Sequence, residues 1–363
     1  MKIALFCHSV VSDWNHDDAH FLRGTATELI LSGHEVMIYE PEDSWSYAGL
    51  LTEPDGTEAI TGYRRAYPIL SERRYRELQL DTMLDGVDLA IVHDWNRPEL
   101  IAAVGRWRAE HSGLRLLFHD THRRAITARE EIGEIDLRRY DGVLACGEAL
   151  RNIYLKHGRH TRVWTWHEAA DTRVFHPQSG FQRTYDLMWI GNWGDEERTA
   201  ELREFLIEPC RALGLKAAVY GVRFSAGARE ALGEAGIEYL GWLPNFRVPE
   251  AFARVNVTVD VPRRADGNGM PGIPTMRLFE ALACGIPLVS APWVDAEGLF
   301  RTGGDFLMAE SGKQMTRHLE AVLGDAVLAK RLTENGRDTI LRRHTCSHRA
   351  GELLVIAEAI GAR

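Results

Sequence analysis

Leu187-Met188-Trp189-Ile190-Gly191-Asn192-Trp193-Gly194-Asp195-Glu196-Glu197-Arg198 is the stretch on which the fold turns. A short apolar run bounded by turn residues reads as a buried strand. Here it runs into a glycine turn and then into an amphipathic stretch, Glu196–Leu213, that reads as a helix. Strand, glycine turn and helix N-terminus in succession form one βα unit. Backbone N–H groups at such a helix start can face an anion, and Gly191 lets a ligand approach the main chain. Arg198, near the first helical turn, adds a charge that suits a diphosphate. The alternative is a plain strand–turn–helix corner carrying a surface arginine.

The same alternation extends in both directions. Toward the C-terminus, strands are expected at Ala217–Tyr220, Ile237–Leu240, Val255–Val261, 287–290 and Phe306–Ala309, with a helix at Pro274–Cys284. Toward the N-terminus they are expected at Ile3–Cys7, Val36–Tyr39, Leu89–Val92, Leu114–Phe118, Val143–Ala145 and Val163–Trp166. Helices are expected there at Ala19–Leu31, Glu99–Ala109 and Ala149–Lys156. The segment Asp171–Tyr185 is polar and marked by His176-Pro177 and Ser179-Gly180, which places a domain boundary there. Two doubly wound α/β domains follow. From Gly312 onward the chain reads as helix throughout.

Size and charge agree. A chain of 363 residues is long for one core, and 45% hydrophobic with 26% charged residues is the composition of a globular protein. Forty-three basic against 52 acidic residues leave a net charge of −9, without the basic footprint of a nucleic-acid binder. No apolar run approaches the length of a spanning helix, and the first apolar run ends at His8 without a small-residue cleavage site, so a cytoplasmic protein is expected. The five cysteines (7, 146, 210, 284, 346) are far apart and form no Cys-x-x-Cys, which argues against a disulfide framework or a zinc knuckle.

In open α/β sheets ligands bind beyond the carboxyl ends of the strands. Four strands of the first half end in histidine: His8, His93-Asp94, His119-Asp120 and His167-Glu168. The run His119-Asp120-Thr121-His122 also invites a metal reading, but side chains on a strand alternate faces and cannot easily converge on one ion. In the second half, Gly221-Val222-Arg223 is a second strand-end loop. A third, Asp266–Thr275, contains a G-x-G-x-x-G (Gly267, Gly269, Gly272), with Asp295 further on. Pro271 and Pro274 interrupt the passage into helix that a dinucleotide fingerprint requires, and the first strand lacks a glycine turn. The helix after this loop carries Glu280 among apolar residues. That carboxylate either snorkels beside Arg277 or faces a polar ligand such as ribose hydroxyls, and the sequence leaves both open.

The run Arg277-Leu278-Phe279-Glu280-Ala281-Leu282-Ala283-Cys284-Gly285-Ile286-Pro287-Leu288-Val289 resembles the donor-site signature of GT-B glycosyltransferases, in particular family 4 and the CgeB-like (spore-maturation) group. Tyr239–Pro244, Asp171–Pro177, Ser32–Val36, Gly336-Arg337 and His344-Thr345 resemble other elements of that family and keep its order. The resemblance implies a bacterial GT-B enzyme: an acceptor-side Rossmann-like domain over 1–172, a nucleotide-sugar domain over 173–346, and a last helix, about 347–363, packing back on the first domain. The two domains are expected to face each other across a cleft.

The implied activity is hexosyl transfer from a nucleotide-diphosphate sugar to a small-molecule or glycan hydroxyl, retaining and metal-independent, with no cofactor; the charge balance adds the expectation of no nucleic-acid partner. The implied donor site is Gly191, Asn192, Arg198, Arg223, Gly272, Thr275 and Glu280, and the reacting groups are sought among His119, Asp120, His16 and Asp17. Family 4 often shows Glu-x7-Glu. Here Gly272 stands at the earlier position, and the usual Gly-Gly acceptor loop is replaced by Asp13-Trp14-Asn15-His16-Asp17-Asp18. A sugar-nucleotide epimerase of the same fold, or a non-catalytic nucleotide-sugar binding protein, is the alternative.

Overall fold

A computed structural model describes residues 1–16, 18–121, 135–194, 196–262 and 272–361, without the side chains of 196 and 197. Asp17, Asp195, His122 and the loop glycines Gly267 and Gly269 therefore lie outside the described residues. The chain forms two compact units. The first comprises Met1–Glu168 and Cys346–Arg363, and Gly272 and Ile273 group with it; the second comprises Ala169–Gly267 and Pro274–Thr345.

The first unit is built on a seven-stranded parallel sheet: β1 (Lys2–Phe6), β2 (Glu35–Pro41), β3 (Glu72–Tyr75), β4 (Leu89–His93), β5 (Arg115–Asp120), β6 (Gly142–Ala145) and β7 (Val163–Thr165), in the order β3-β2-β1-β4-β5-β6-β7. Its central strands are almost wholly buried, which is why they read as continuous apolar runs: helices cover both faces of a parallel sheet. β3, Glu-Arg-Arg-Tyr, was not expected from the sequence. It is an edge strand paired only with β2, and the side left open to water favours charged residues over an apolar run. The helix Cys346–Gly361 packs on the helix Ala19–Leu31, burying Leu353, Ile356, Ala357 and Ile360. Arg349, buried in the same helix, donates from Nε to the His167 carbonyl at 2.9 Å, while Trp166 Nε1 donates to the Arg349 carbonyl at 2.9 Å.

The second unit holds a six-stranded parallel sheet: β8 (Tyr185–Ile190), β9 (Ala217–Tyr220), β10 (Ile237–Tyr239), β11 (Val255–Asp260), β12 (Leu288–Ser290) and β13 (Leu307–Met308), in the order β10-β9-β8-β11-β12-β13. In both sheets the strand order reverses beside the first strand, between β1 and β4 and between β8 and β11. Those are the switch points at which a doubly wound sheet opens its ligand crevice.

Two helices differ from their sequence reading. The expected continuous helix Glu196–Leu213 is split into Glu196–Leu202 and Glu208–Leu213 by a π-helical turn, Arg203–Ile207. Within that turn Glu204 accepts the backbone N–H of Gly312 at 3.1 Å and so caps the start of the helix Gly312–Gly324. The expected helix Pro274–Cys284 begins later, at Met276, because Thr275 is its N-cap and accepts the Leu278 N–H. Gly285 ends it in the left-handed region, at φ 66°. Among the described residues no helix is long and apolar enough to cross a membrane. All five cysteines are free and buried.

Candidate functional site

In the first unit the loop that follows β1 carries His8 to Asp18 and is fastened from two sides. Glu40, on β2 and fully buried, accepts hydrogen bonds from Ser9 Oγ (3.0 Å) and from the N–H groups of Val10 (2.8 Å) and Val11 (3.4 Å). Burial raises its pKa, and those three bonds together with Arg74 act against the rise. Arg23 is fully buried as well. It donates to the carbonyls of Val10 (2.6 Å) and Val11 (2.9 Å) and to Asp13 (2.9 Å), and lies over the rings of Tyr63 and Tyr67. A buried guanidinium is tolerable only when bonded this fully.

The loop is thereby held at the β1/β4 switch point, where three strand ends contribute histidines. His8 stacks on Trp45 at 4.5 Å, and its Nε2 accepts the Ser46 N–H at 3.3 Å. A ring that accepts there is neutral, and burial, with His16 and His93 nearby, lowers its pKa to about 3. His16 is arranged oppositely. Its Nε2 faces the Ser9 carbonyl at 3.2 Å and its Nδ1 faces the Asp18 carboxylate at 3.5 Å. Both partners are acceptors, the Ser9 carbonyl at hydrogen-bond distance and the Asp18 carboxylate at ion-pair distance. Burial works to raise the pKa of Asp18, but the bond to His16, the charges of His93 and His16 and a bond from Thr121 hold it well below the usual range.

His93 ends β4 directly opposite His119 on β5. It lies 3.1 Å from Asp94 and 3.3 Å from the Thr121 hydroxyl. His119 is 1% exposed and ringed by Phe21, Trp166 and His93, at 5.6, 4.7 and 5.0 Å between centroids. Neither of its ring nitrogens has a hydrogen-bond partner. Burial, and then the charge of His93, pushes its pKa well below the ordinary value, with Asp18 opposing. Asp120, the next residue, turns to the other face of the strand, where Tyr154 donates to it at 2.6 Å. Of the residues sought from sequence, His16 and His119 are therefore drawn around Asp18 and His93, while Asp120 is directed away. Sequence reasoning did not select Trp45, Thr121 or Trp95, whose ring lies 5.8 Å from His16 and 5.7 Å from Trp45; the signal available was Trp95 following the strand-end pair His93-Asp94.

In the second unit, the ends of β8, β9 and β10 form a backbone shelf. Gly191 N donates to the Tyr220 carbonyl at 2.9 Å, Gly221 N to the Gly241 carbonyl at 2.8 Å, and Val222 N to Asn192 Oδ1 at 3.0 Å. Arg223 is exposed and holds φ 63°, an uncommon conformation for a residue with a side chain, which fixes the direction in which it leaves the shelf. Arg198 is buried, pairs with Glu201 at 3.1 Å and lies over the Trp189 ring at 5.4 Å. At the β11 end, Thr275 Oγ1 donates to Asp260 at 3.0 Å. Gly272 holds φ 91°.

Glu280 is 0% exposed. Its Oε2 accepts from Arg277 and its Oε1 from the side-chain amide of Asn245, at 2.5 Å. The Arg277 partner was one of the two options that the sequence left open. Asn245 comes from a different element, the 3-10 turn Asn245–Arg247, and was not anticipated. Glu201 could have been, since it stands three residues after Arg198 on the same helix.

Residues 198–355 match the family model described as glycosyl transferase-like. No curated protein matches the chain in sequence. Solved structures match over nearly the whole chain. Sucrose-phosphate synthase from Thermosynechococcus elongatus is 14% identical with a TM-score of 0.65, covering 100% of this chain and 99% of that one. Anabaena HepE, solved with UDP and glucose, is 11% identical with a TM-score of 0.70, covering 99% and 100%. An alpha-glucosyltransferase solved with UDP and a 13-mer DNA is 12% identical with a TM-score of 0.70, covering 99% of each. Since this last structure holds DNA, the fold itself is compatible with nucleic acid, and the expectation of no nucleic-acid partner rests on charge alone. The chain thus has the two-sheet α/β fold of the GT-B glycosyltransferases, and its residues 198–355 carry a glycosyl transferase-like sequence.

Proposed function

We propose that this protein is a glycosyltransferase that moves a hexosyl group from a nucleoside-diphosphate sugar to a hydroxyl acceptor, with retention of configuration and without a metal ion or other cofactor. The observation that carries the reading is the backbone shelf of the second unit, Gly191, Asn192 and Gly221 at the ends of β8 and β9, beside the switch point and followed by the helix of Arg198. A glycine shelf lets a diphosphate approach the main chain, and a guanidinium neutralises the charge that builds on it as the glycosidic bond breaks. Arg198 and Arg223 are assigned to the diphosphate, the Thr275 cap to the same region, and Glu280 to the ribose. The neighbours solved with UDP favour a nucleotide donor.

The first unit supplies the acceptor side. Its histidines suit retention better than inversion. An inverting reaction needs a protein base near neutral pKa. Burial lowers the pKa of His8 to about 3 and pushes that of His119 well below its ordinary range, while His16 faces two acceptors. Retention requires no such base, and the three rings can instead position hydroxyl groups. The CgeB-like assignment, and a cytoplasmic location where five thiols stay free, belong to the same reading.

A thermal-shift panel of UDP, GDP, ADP and TDP, followed by their sugars with candidate acceptors, tests it. Stabilisation by at least one diphosphate and product of retained anomeric configuration by NMR, undiminished by EDTA, are expected. Conversion of a nucleotide sugar without acceptor would identify an epimerase, and binding without turnover a binding protein. No response to any diphosphate would remove the reading altogether.

A further inference from the structure

Glu280 and Asn245 form a pair whose chemistry is one-sided. A carboxylate only accepts hydrogen bonds, so the amide facing Glu280 Oε1 must be the NH2 end of Asn245. This fixes the orientation of the side chain and leaves its carbonyl oxygen, Oδ1, directed elsewhere. Asn245 is 6% exposed, and Oδ1 meets no donor. A buried acceptor without a donor is costly, and native chains rarely keep one unless something outside the chain satisfies it. Both side chains are held firmly, Glu280 by Arg277 on its own helix and Asn245 by Glu280.

We propose that Asn245 is a specificity-determining residue of the donor site: its carbonyl oxygen, beside the Glu280 carboxylate, receives a ribose hydroxyl and so selects ribonucleotide over 2′-deoxyribonucleotide donors. The inference rests on the donor reading given above and extends it to the sugar of the nucleotide. The Asn245 amide adjoins the Glu280 carboxylate, so one neighbourhood offers two kinds of acceptor, enough for the two hydroxyls of a ribose. A deoxyribose offers only one hydroxyl and leaves the second acceptor buried and unpaired, which is the situation in which discrimination is strongest. A thymidine-type donor is disfavoured on this ground.

The test is calorimetric titration of the whole chain with UDP, GDP and ADP and with their 2′-deoxy counterparts. The best-binding ribonucleotide is then repeated on Asn245→Leu, which removes both amide functions, and on Asn245→Ser, which keeps a donor for Glu280 but lacks the carbonyl. Circular dichroism and melting confirm which variants fold. The wild type should bind the ribo form at least roughly tenfold more tightly than the deoxy form, and both variants should narrow that ratio toward one by weakening the ribo form alone. Equal binding of ribo and deoxy forms by the wild type overturns the proposal and leaves the donor reading intact. So does a ratio unchanged in whichever variant folds, the result expected if Oδ1 merely holds a buried water. Failure of all three ribonucleotides to bind the wild type overturns the donor reading and this proposal with it.

Discussion

A Cβ placed on Gly221 would lie 1.9 Å from the carbonyl oxygen of Gly191. The two glycines come from adjacent strand ends, β9 and β8, and their main chains close on each other because Gly221 carries no side chain; a Cβ on Gly191 would instead meet the Trp189 ring at 2.6 Å. Gly221 also holds φ 150°, at the edge of the region that favours glycine. Gly221→Ala should therefore cost more than about 2 kcal/mol, since backbone and not a flexible side chain must give way. Gly214→Ala is the control: it holds φ 62° with nothing within 4 Å, and should cost only about 1 kcal/mol of backbone strain. Urea denaturation of both variants checks the contrast, and equal losses would count against the crowding.

Arg198→Ala should weaken nucleoside-diphosphate binding by roughly 10- to 150-fold, the worth of a charged hydrogen bond of about 1.5–3 kcal/mol. It should also cost stability, because Arg198 pairs with Glu201 and the variant leaves a buried carboxylate without that cation. A stability loss of about 1–3 kcal/mol is expected, and Arg198→Ala with Glu201→Gln should recover part of it without restoring binding. Calorimetry and denaturation on the single and double variants separate the two effects.

His119→Leu should leave stability unchanged or slightly raised, because the fold makes no hydrogen bond to either ring nitrogen. Turnover should fall at least roughly tenfold while nucleotide affinity stays the same, if the imidazole serves the reacting sugar or the acceptor. Steady-state kinetics beside calorimetry decides this. Weakened nucleotide binding with normal turnover at saturation would contradict the assignment.

The pH dependence of folding follows from His8. Its pKa in the folded chain is about 3, against an ordinary 6.5. Between those values the unfolded chain binds a proton that the folded chain refuses. Stability is complete above about 6.5 and declines as pH falls toward 3, by up to about 1.4 kcal/mol per pH unit for one such group. His119 acts in the same direction. Denaturation at pH 7, 5.5 and 4.5 should show the decline in the wild type and a shallower one in His8→Gln. Identical slopes would exclude His8 as a source.

Much of the architecture was legible because it is written in local patterns. Apolar runs bounded by turns marked the buried parallel strands, since both faces of such strands need apolar side chains. Gly285 marked the end of the helix Met276–Cys284, because a left-handed cap favours glycine on purely local grounds. The edge strand β3 escaped because one side of it stays open to water and its composition is that of a loop. The π-helical turn stands just before Pro209, whose missing N–H breaks the helical ladder locally, while the reach of Glu204 to Gly312, 108 residues away, has no local signal.

The candidate site divides in the same way. Sequence reasoning put forward His16, His119, Arg198 and Glu280 by residue type and position. It could not supply their partners. Strand order sets His93 opposite His119, which neither position encodes locally; the pleat alone turns Asp120 to the other face, but its partner Tyr154 lies 34 residues away. Asn245 meets Glu280 across 35 residues of chain. A lone charged residue in an apolar helix announces that a partner must exist, because burial without one is too costly. Which partner it takes is decided only when distant segments pack.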